Sequence, residues 1–322
     1  MNPFISICIP AYKRVHYLQR LLDSVSIQTY KNFEIVVTDD SPGDEVKILT
    51  QSYRDSLPLR YFKNQPALGT PENWNEAIRR STGDWIKIMH DDDWFTNEHS
   101  LLRFSESITK NTHCKFYFSA YTNIHEQENN QQEPVQLGRS DEYKLRKNRF
   151  YLFRKNYIGN PSCTLFRKDL QVLFDRRFHW VVDFEFYIRY LGNQNNDFTY
   201  INDPLVNVSV NSTQVTKSAF RERSIEVPEN HLLISEIGAD KLSYIYVYDY
   251  YWRLYRNLGI RNESQIRESG YAGPLQPILR SMIHWQKLFP GNLLKFGPLS
   301  KSVMGLHYFT HASALKRRST FS

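Results

Sequence analysis

Short apolar runs alternate with helically spaced apolar residues through the first 120 positions, and this rhythm constrains the fold more than any other feature. Phe4–Pro10 reads as a strand, after which Leu18, Leu21, Leu22 and Val25 recur on one helical face. Phe33–Thr38 is a second strand, ending in Asp39 and Asp40, and Leu59–Phe62 is a third. Pro71 suits the start of a helix that carries Trp74, Ala77 and Ile78 on one side. Trp85–Met89 is a fourth strand and runs into His90, Asp91, Asp92 and Asp93. This β-α-β-α-β-α-β order predicts a mostly parallel sheet with helices on both faces. Such sheets bind ligands beyond the carboxyl ends of their strands, where the polar clusters of this sequence fall.

The remainder is less regular. Residues His125–Arg149 are polar and read as a surface excursion, while strand and helix signals return over Pro161–Val210. After Ala219 the chain looks helical, with Tyr244, Tyr248, Tyr251 and Tyr255 on a stripe that suits helix packing. Hydrophobic residues make up 41% of the chain, enough to bury a core. No uninterrupted apolar run reaches the roughly 18 residues of a spanning helix. No basic segment precedes the first strand, so a cleaved signal peptide is not expected. Cys8, Cys114 and Cys163 are scattered and suit a reducing cytoplasm better than a disulfide framework.

The net charge is +7, and it is localised: Ser269–Ser322 holds seven basic residues and no acidic one. The other 34 basic residues balance all 34 acidic ones. An acid-free segment that also carries Trp285, Leu288, Phe289, Leu293, Leu294, Phe296, Tyr308 and Phe309 suits an anionic membrane surface. The other reading is that these apolar groups pack on the domain while the charges face water. The segment has no recognisable nucleic-acid-binding motif, so nucleic acid is not an expected partner.

The turn after the first strand, Pro10–Arg14, has no glycine, which excludes a dinucleotide fingerprint; P-loop and nucleophile-elbow motifs are absent too. Asp91, Asp92 and Asp93 at a buried strand's end would repel one another unless a cation neutralised them. A hard divalent ion does so, completing its shell with diphosphate oxygens. A solvated acidic loop is the plain alternative. Asp39-Asp40-Ser41 suits a ribose or base edge, or an Asx turn ahead of Pro42-Gly43.

Together ISICIPAYKR (Ile5–Arg14), QTY (Gln28–Tyr30), FEIVVTDDS (Phe33–Ser41) and GDWIKIMHDDDW (Gly83–Trp94) resemble glycosyltransferase family 2. The resemblance is dense over residues 4–110, sparser to about 216 and absent beyond. It implies a GT-A fold: a Rossmann-like α/β domain, its mostly parallel sheet flanked by helices, here followed by a helical C-terminal region. It also implies a nucleotide-sugar donor, a divalent metal (Mg²⁺ or Mn²⁺) and inversion. By the resemblance, Pro10, Ala11 and Tyr12 hold the base, Asp39 and Asp40 read base and ribose, and Asn73, with Trp74 and Asn75, lies under the nucleotide. Asp92 lies nearer the ribose, while Asp93, Asp91 and Asn211 are the metal candidates. His90 stands where the family often has Asp, and Asn211 where it often has His; an amide in place of imidazole suggests Mg²⁺ should serve as well as Mn²⁺. Asp183 matches the general base, with Glu185 second because it points elsewhere on the same helix. Asn160–Thr164 resembles the strand lining the acceptor side.

The expected organisation is a GT-A domain over residues 1–216 (a nucleotide-sugar half, 1–110, and an acceptor half, 111–216), a helical extension over 217–268 and a basic tail over 269–322. The expected function is transfer from a nucleotide sugar, UDP-linked by preference, to a saccharide or lipid-linked saccharide in cell-surface polysaccharide synthesis. The setting would be cytoplasmic, peripheral to the membrane through 269–322. A non-catalytic scaffold of the same fold and a nucleotidyltransferase are the alternatives.

Overall fold

A computed structural model describes residues 2–211 and 221–318 of the chain, with side chains to residue 311. It divides into two compact units: Met1–Arg149, Tyr157–Arg176 and Val182–Gln214 form one, and Phe150–Asn156, Arg177–Val181 and Val215–Ser322 the other. The expected boundary near residue 216 lies outside the described residues.

The first unit opens with β1 (Ile5–Ala11), α1 (Val15–Ser26), β2 (Phe33–Asp39), α2 (Glu45–Ser52), β3 (Leu59–Lys63), α3 (Glu72–Arg80) and β4 (Trp85–Ile88). It continues through β5 (Trp94–Phe95), α4 (Ser100–Lys110), β6 (Phe116–His125), β7 (Gln131–Val135), α5 (Arg139–Lys147), β8 (Thr164–Arg167), α6 (Val182–Asn193) and β9 (Thr199–Val210). The sheet runs β3-β2-β1-β4-β8-β6-β9-β5, with β7 paired to β6. Strands β3, β2, β1 and β4 are parallel, as the alternating pattern predicts. Beyond β4 the sheet is mixed, since β8 runs antiparallel to both β4 and β6 while β9 runs parallel to β6. β1 and β2 are buried along their whole lengths, which is why they read as continuous apolar runs rather than alternating ones. Leu18, Leu21, Leu22 and Val25 of α1 pack on that sheet beside Phe104 of α4.

The polar stretch 125–149 is more ordered than expected. It closes a hairpin in which Asn129 and Asn130 adopt positive φ (53° and 56°), a conformation asparagine tolerates well. β7 then pairs with the end of β6 as an exposed edge strand, so its polar residues and Pro134 fit that position.

The second unit is helical among its described residues, with helices at Arg223–Ile237, Ile245–Leu258, Glu263–Glu268, Pro277–Lys287, Gly291–Lys295 and Gly297–Arg318. The tyrosine stripe is core: Tyr248, Tyr251 and Tyr255 are fully buried, and only Tyr244, preceding the helix, is exposed. The described part of the basic segment packs here as well. Trp252 Nε1 donates to Ser300 Oγ at 3.0 Å, and Tyr248 meets His307 Nδ1. Leu294 is buried, whereas Leu288, Leu293, Phe296 and Phe309 are exposed, so the apolar groups of this segment divide between the two readings. No helix among the described residues is long and apolar enough to cross a membrane.

Candidate active site

The polar clusters converge where β1, β2 and β4 end, on either side of the central strand β1. The turn after β1 is held without glycine. Lys13 takes a left-handed φ of 65°, its N–H donates to Ser41 Oγ at 2.7 Å, and the Tyr12 N–H donates to Asp91 at 3.2 Å. Tyr12 is 50% exposed, with Lys13 Nζ 4.8 Å from its ring centre, so the ring can still stack on a flat ligand. Asp39 is fully buried, accepting from Ser41 N–H, Tyr61 Oη and Lys63 Nζ. Asp40 accepts from Asn64 Nδ2, Leu68 N–H and Gly69 N–H, all within 3.0 Å. Asn73 joins this set by accepting from Asn64 at 2.9 Å. These carboxylates therefore brace the turn and loop beside Tyr12.

At the end of β4, His90, Asp92 and Asp93 bring one ligand atom each within 4.8 Å of one another. Asp91, expected among the metal residues, lies outside this group and turns toward Tyr12 N–H and Arg14. Asp92, expected nearer the ribose, is inside it. Arg14 is salt-bridged to Asp91 at 2.6 Å and to Asp92 at 2.8 Å. Arg20 donates to the Asp92 carbonyl at 2.8 Å and pairs with Glu126, which also accepts from Ser209 Oγ. Asn211 donates to Ser209 Oγ at 2.9 Å, so it belongs to the shell behind Asp93. Asp93 itself accepts from Ser209 N–H at 3.1 Å and Asn160 Nδ2 at 2.8 Å, which draws the ends of β9 and of the 159–163 segment onto β4.

Burial dominates the electrostatics. It pushes Asp93 up to about 7, with Asp92 adding and Ser162, Asn160 and Ser209 opposing. It pushes Asp91 to about 7 against the pull of Arg14. His90 is driven down to about 4, by burial first and then by Arg14 and Lys87, so its imidazole is neutral near pH 7. Its Nε2 is buried without a hydrogen-bond partner. The other ring nitrogen, Nδ1, lies 3.9 Å from Asp93, and an imidazole beside two carboxylates is a donor set that suits a first-row divalent ion.

Asp183 lies in the first turn of α6, one oxygen accepting from Phe184 N–H. Its charge contributes to raising Tyr121 and Tyr187, after burial, and Tyr187 donates to the Gly159 carbonyl beside Asn160. Glu185 is buried and doubly bonded to Arg189, at 2.6 and 3.0 Å. Sequence reasoning missed Arg14, Lys63 and Glu126 as members of this site. Arg14 sat inside a quoted motif, but Glu126 lies in the polar stretch and carried no signal.

A sheet with its acidic cluster beyond the carboxyl ends of parallel strands, continued by a mixed half, defines a GT-A architecture. The family model for glycosyl transferase family 2 matches residues 6–174, over half of the chain, which therefore belongs to that family. Among curated relatives, an uncharacterised glycosyltransferase of Haemophilus influenzae is 37% identical over 94 residues, 29% of this chain and 31% of that protein. A Campylobacter jejuni GalNAc(5)-diNAcBac-PP-undecaprenol β-1,3-glucosyltransferase is 30% identical over 93 residues, 28% of this chain and 30% of that protein. The chain thus spans about a third of the length of these relatives. Among solved structures, Staphylococcus aureus TarS with UDP-GlcNAc matches with a TM-score of 0.65 at 17% identity, covering 97% of this chain and 91% of that one. A Pyrobaculum calidifontis mannosyltransferase with GDP-Man and Mn²⁺ matches with a TM-score of 0.53 at 14% identity, covering 98% and 87%.

Proposed function

We propose that this protein transfers a sugar, with inversion, from a UDP-linked donor to a lipid-linked saccharide at a membrane surface. One observation carries the reading: His90, Asp92 and Asp93 gather at the end of β4, with a buried imidazole nitrogen left without a partner. These three residues would hold a divalent ion, which when bound supplies Lewis-acid stabilisation to a departing diphosphate. Tyr12 would stack on the base, and Asp39 and Asp40 would keep the surrounding loops in register for base and ribose. Asp183 would accept the acceptor hydroxyl's proton as that oxygen attacks. Glu185 is a poorer candidate because Arg189 occupies both its oxygens. Asn211 contributes through Ser209. The imidazole favours Mn²⁺ over Mg²⁺, where Asn211 alone led to the expectation that Mg²⁺ would serve as well.

The uridine preference follows the UDP-GlcNAc held by TarS, whose TM-score of 0.65 exceeds the 0.53 of the mannosyltransferase with GDP-Man, and the lipid-linked acceptor follows the name of the Campylobacter relative. A membrane-facing setting suits the exposed Leu288, Leu293, Phe296 and Phe309 among lysines that form no ion pair with the described residues. The test is nucleotide release from a panel of UDP-, GDP- and dTDP-sugars, with Mn²⁺, Mg²⁺ or chelator, with and without undecaprenol-linked saccharide. Release from a UDP-sugar that needs metal and acceptor supports the reading. Absence of turnover with every donor would leave a binding scaffold, and release of diphosphate from a sugar phosphate and nucleotide triphosphate would mark a nucleotidyltransferase.

A further inference from the structure

Lys87 lies in the middle of β4, the strand that delivers the acidic cluster, and is fully buried. It pairs in register with Ile7 of β1 and shares a sheet face with Trp85. Among the described residues it forms no ion pair. Its Nζ donates to the Ser162 carbonyl and lies 5.0 Å from the Phe104 ring centre and 5.7 Å from that of Phe95. A buried ammonium held by one carbonyl and two ring faces costs the fold free energy that a methionine or leucine would not. The Ser162 it grips is not a bystander. The Ser162 hydroxyl accepts from the His90 N–H at 2.9 Å and lies near enough to Asp93 to oppose the upward push of burial on its carboxyl. The segment around it also supplies Asn160, whose amide holds the other side of Asp93 at 2.8 Å.

We propose that Lys87 is a positioning residue: its buried ammonium anchors the Pro161–Cys163 turn, and through Ser162 it fixes His90 and Asp93 in register for the donor and its cation. The strand that presents the cluster and the turn that braces it are thereby tied together beneath the site. Stability alone gives no reason for a lysine here, and positioning does. The inference rests on the reading of the β4 end as the donor and cation site.

Lys87→Met, Ser162→Ala and the double variant test it, in the full chain. UDP affinity with Mn²⁺, measured by calorimetry, should weaken about 10–100-fold in Lys87→Met, the range for groups that orient metal ligands. Its Tm should equal or exceed that of the wild type, and the His90 amide should nevertheless exchange faster. The double variant should lose no more than the worse single one, because both act along one chain of contacts. Unchanged UDP affinity together with unchanged His90 exchange overturns the proposal, as do additive losses. A Lys87→Met protein that fails to fold, or whose Tm falls in step with its affinity, marks an ordinary core residue and overturns it too. If the wild type binds no UDP with Mn²⁺, the donor-site reading fails, and exchange at His90 with Tm still decides Lys87.

Discussion

Arg14 bridges two neighbouring carboxylates, its Nη2 2.6 Å from Asp91 and its Nη1 2.8 Å from Asp92. The carboxylates are buried and the guanidinium is 30% exposed, so the pair of bonds is far from a solvated surface bridge. With His90 neutral, Arg14 is the cation in direct contact with the cluster until a metal arrives.

Arg14→Met should therefore destabilise the metal-free protein. Removing one partner of a buried pair typically costs about 3–5 kcal/mol, which partial exposure reduces to roughly 2–3. Urea unfolding should show that loss, and saturating Mn²⁺ should recover part of it by neutralising Asp92, one of the two carboxylates that Arg14 pairs with. An unchanged midpoint without metal would remove Arg14 from the role of counter-ion.

Asp183→Asn separates chemistry from binding. The amide keeps the shape of the carboxylate and cannot take a proton, so kcat should fall about 10²–10⁴-fold. UDP affinity by calorimetry should be unaffected, since Asp183 lies on α6 rather than at the β1, β2 or β4 ends. Normal kcat would dismiss Asp183 as base.

The first half of the fold was legible because β1 and β2 are buried on both faces and their ends carry Tyr12, Asp39 and Asp40. The mixed half was harder to read. β8 is only four residues long and its role depends on pairing with both β4 and β6, which no local pattern encodes. In the site, the residue types were visible but their division of labour was not. Asp91 and Asp92 are adjacent in sequence, yet the backbone turns one toward Tyr12 and the other toward His90. His90 looked like a departure from the family pattern until the fold put its nitrogen beside Asp92 and Asp93. Lys87, the one charged residue in an otherwise apolar strand, was not singled out in the sequence.

Lys87 gives stability a pH dependence of definite sign. Burial pushes its ammonium down from 10.5 to about 7, with Cys163 and Asp93 opposing. Between those values the unfolded chain holds a proton that the folded chain has released, so this group makes stability rise with pH across that window. Lys87→Met lacks the contribution. Its advantage in Tm over the wild type should be largest at pH 7 and below and should shrink toward pH 10. A constant advantage across that range would show that Lys87 does not titrate in the folded protein.

The basic segment yields a prediction about lipid. Leu288, Leu293, Phe296, Leu306 and Phe309 are exposed, at 65%, 47%, 63%, 59% and 77%, within a stretch that contains no acidic residue. Lys287, Lys295 and Lys301 lie among them, exposed and without ion-pair partners among the described residues. Basic groups near an anionic leaflet contribute about 1 kcal/mol each, so three give roughly 3 kcal/mol, a salt-sensitive attachment that inserted aromatic rings would strengthen. Truncating the segment is a poor test, because Trp252 and Tyr248 bond to Ser300 and His307 and would lose their packing. Charge reversal at Lys287, Lys295 and Lys301, and separately Phe296→Ser with Phe309→Ser, leave the buried Leu294, Met304 and His307 in place. Sedimentation with anionic liposomes at low salt should pellet the wild type, and either set of changes should release most of it. Neutral liposomes or high salt should do the same to the wild type. Equal pelleting of all three proteins, or binding indifferent to lipid charge, would mean that the exposed apolar groups face something other than a membrane.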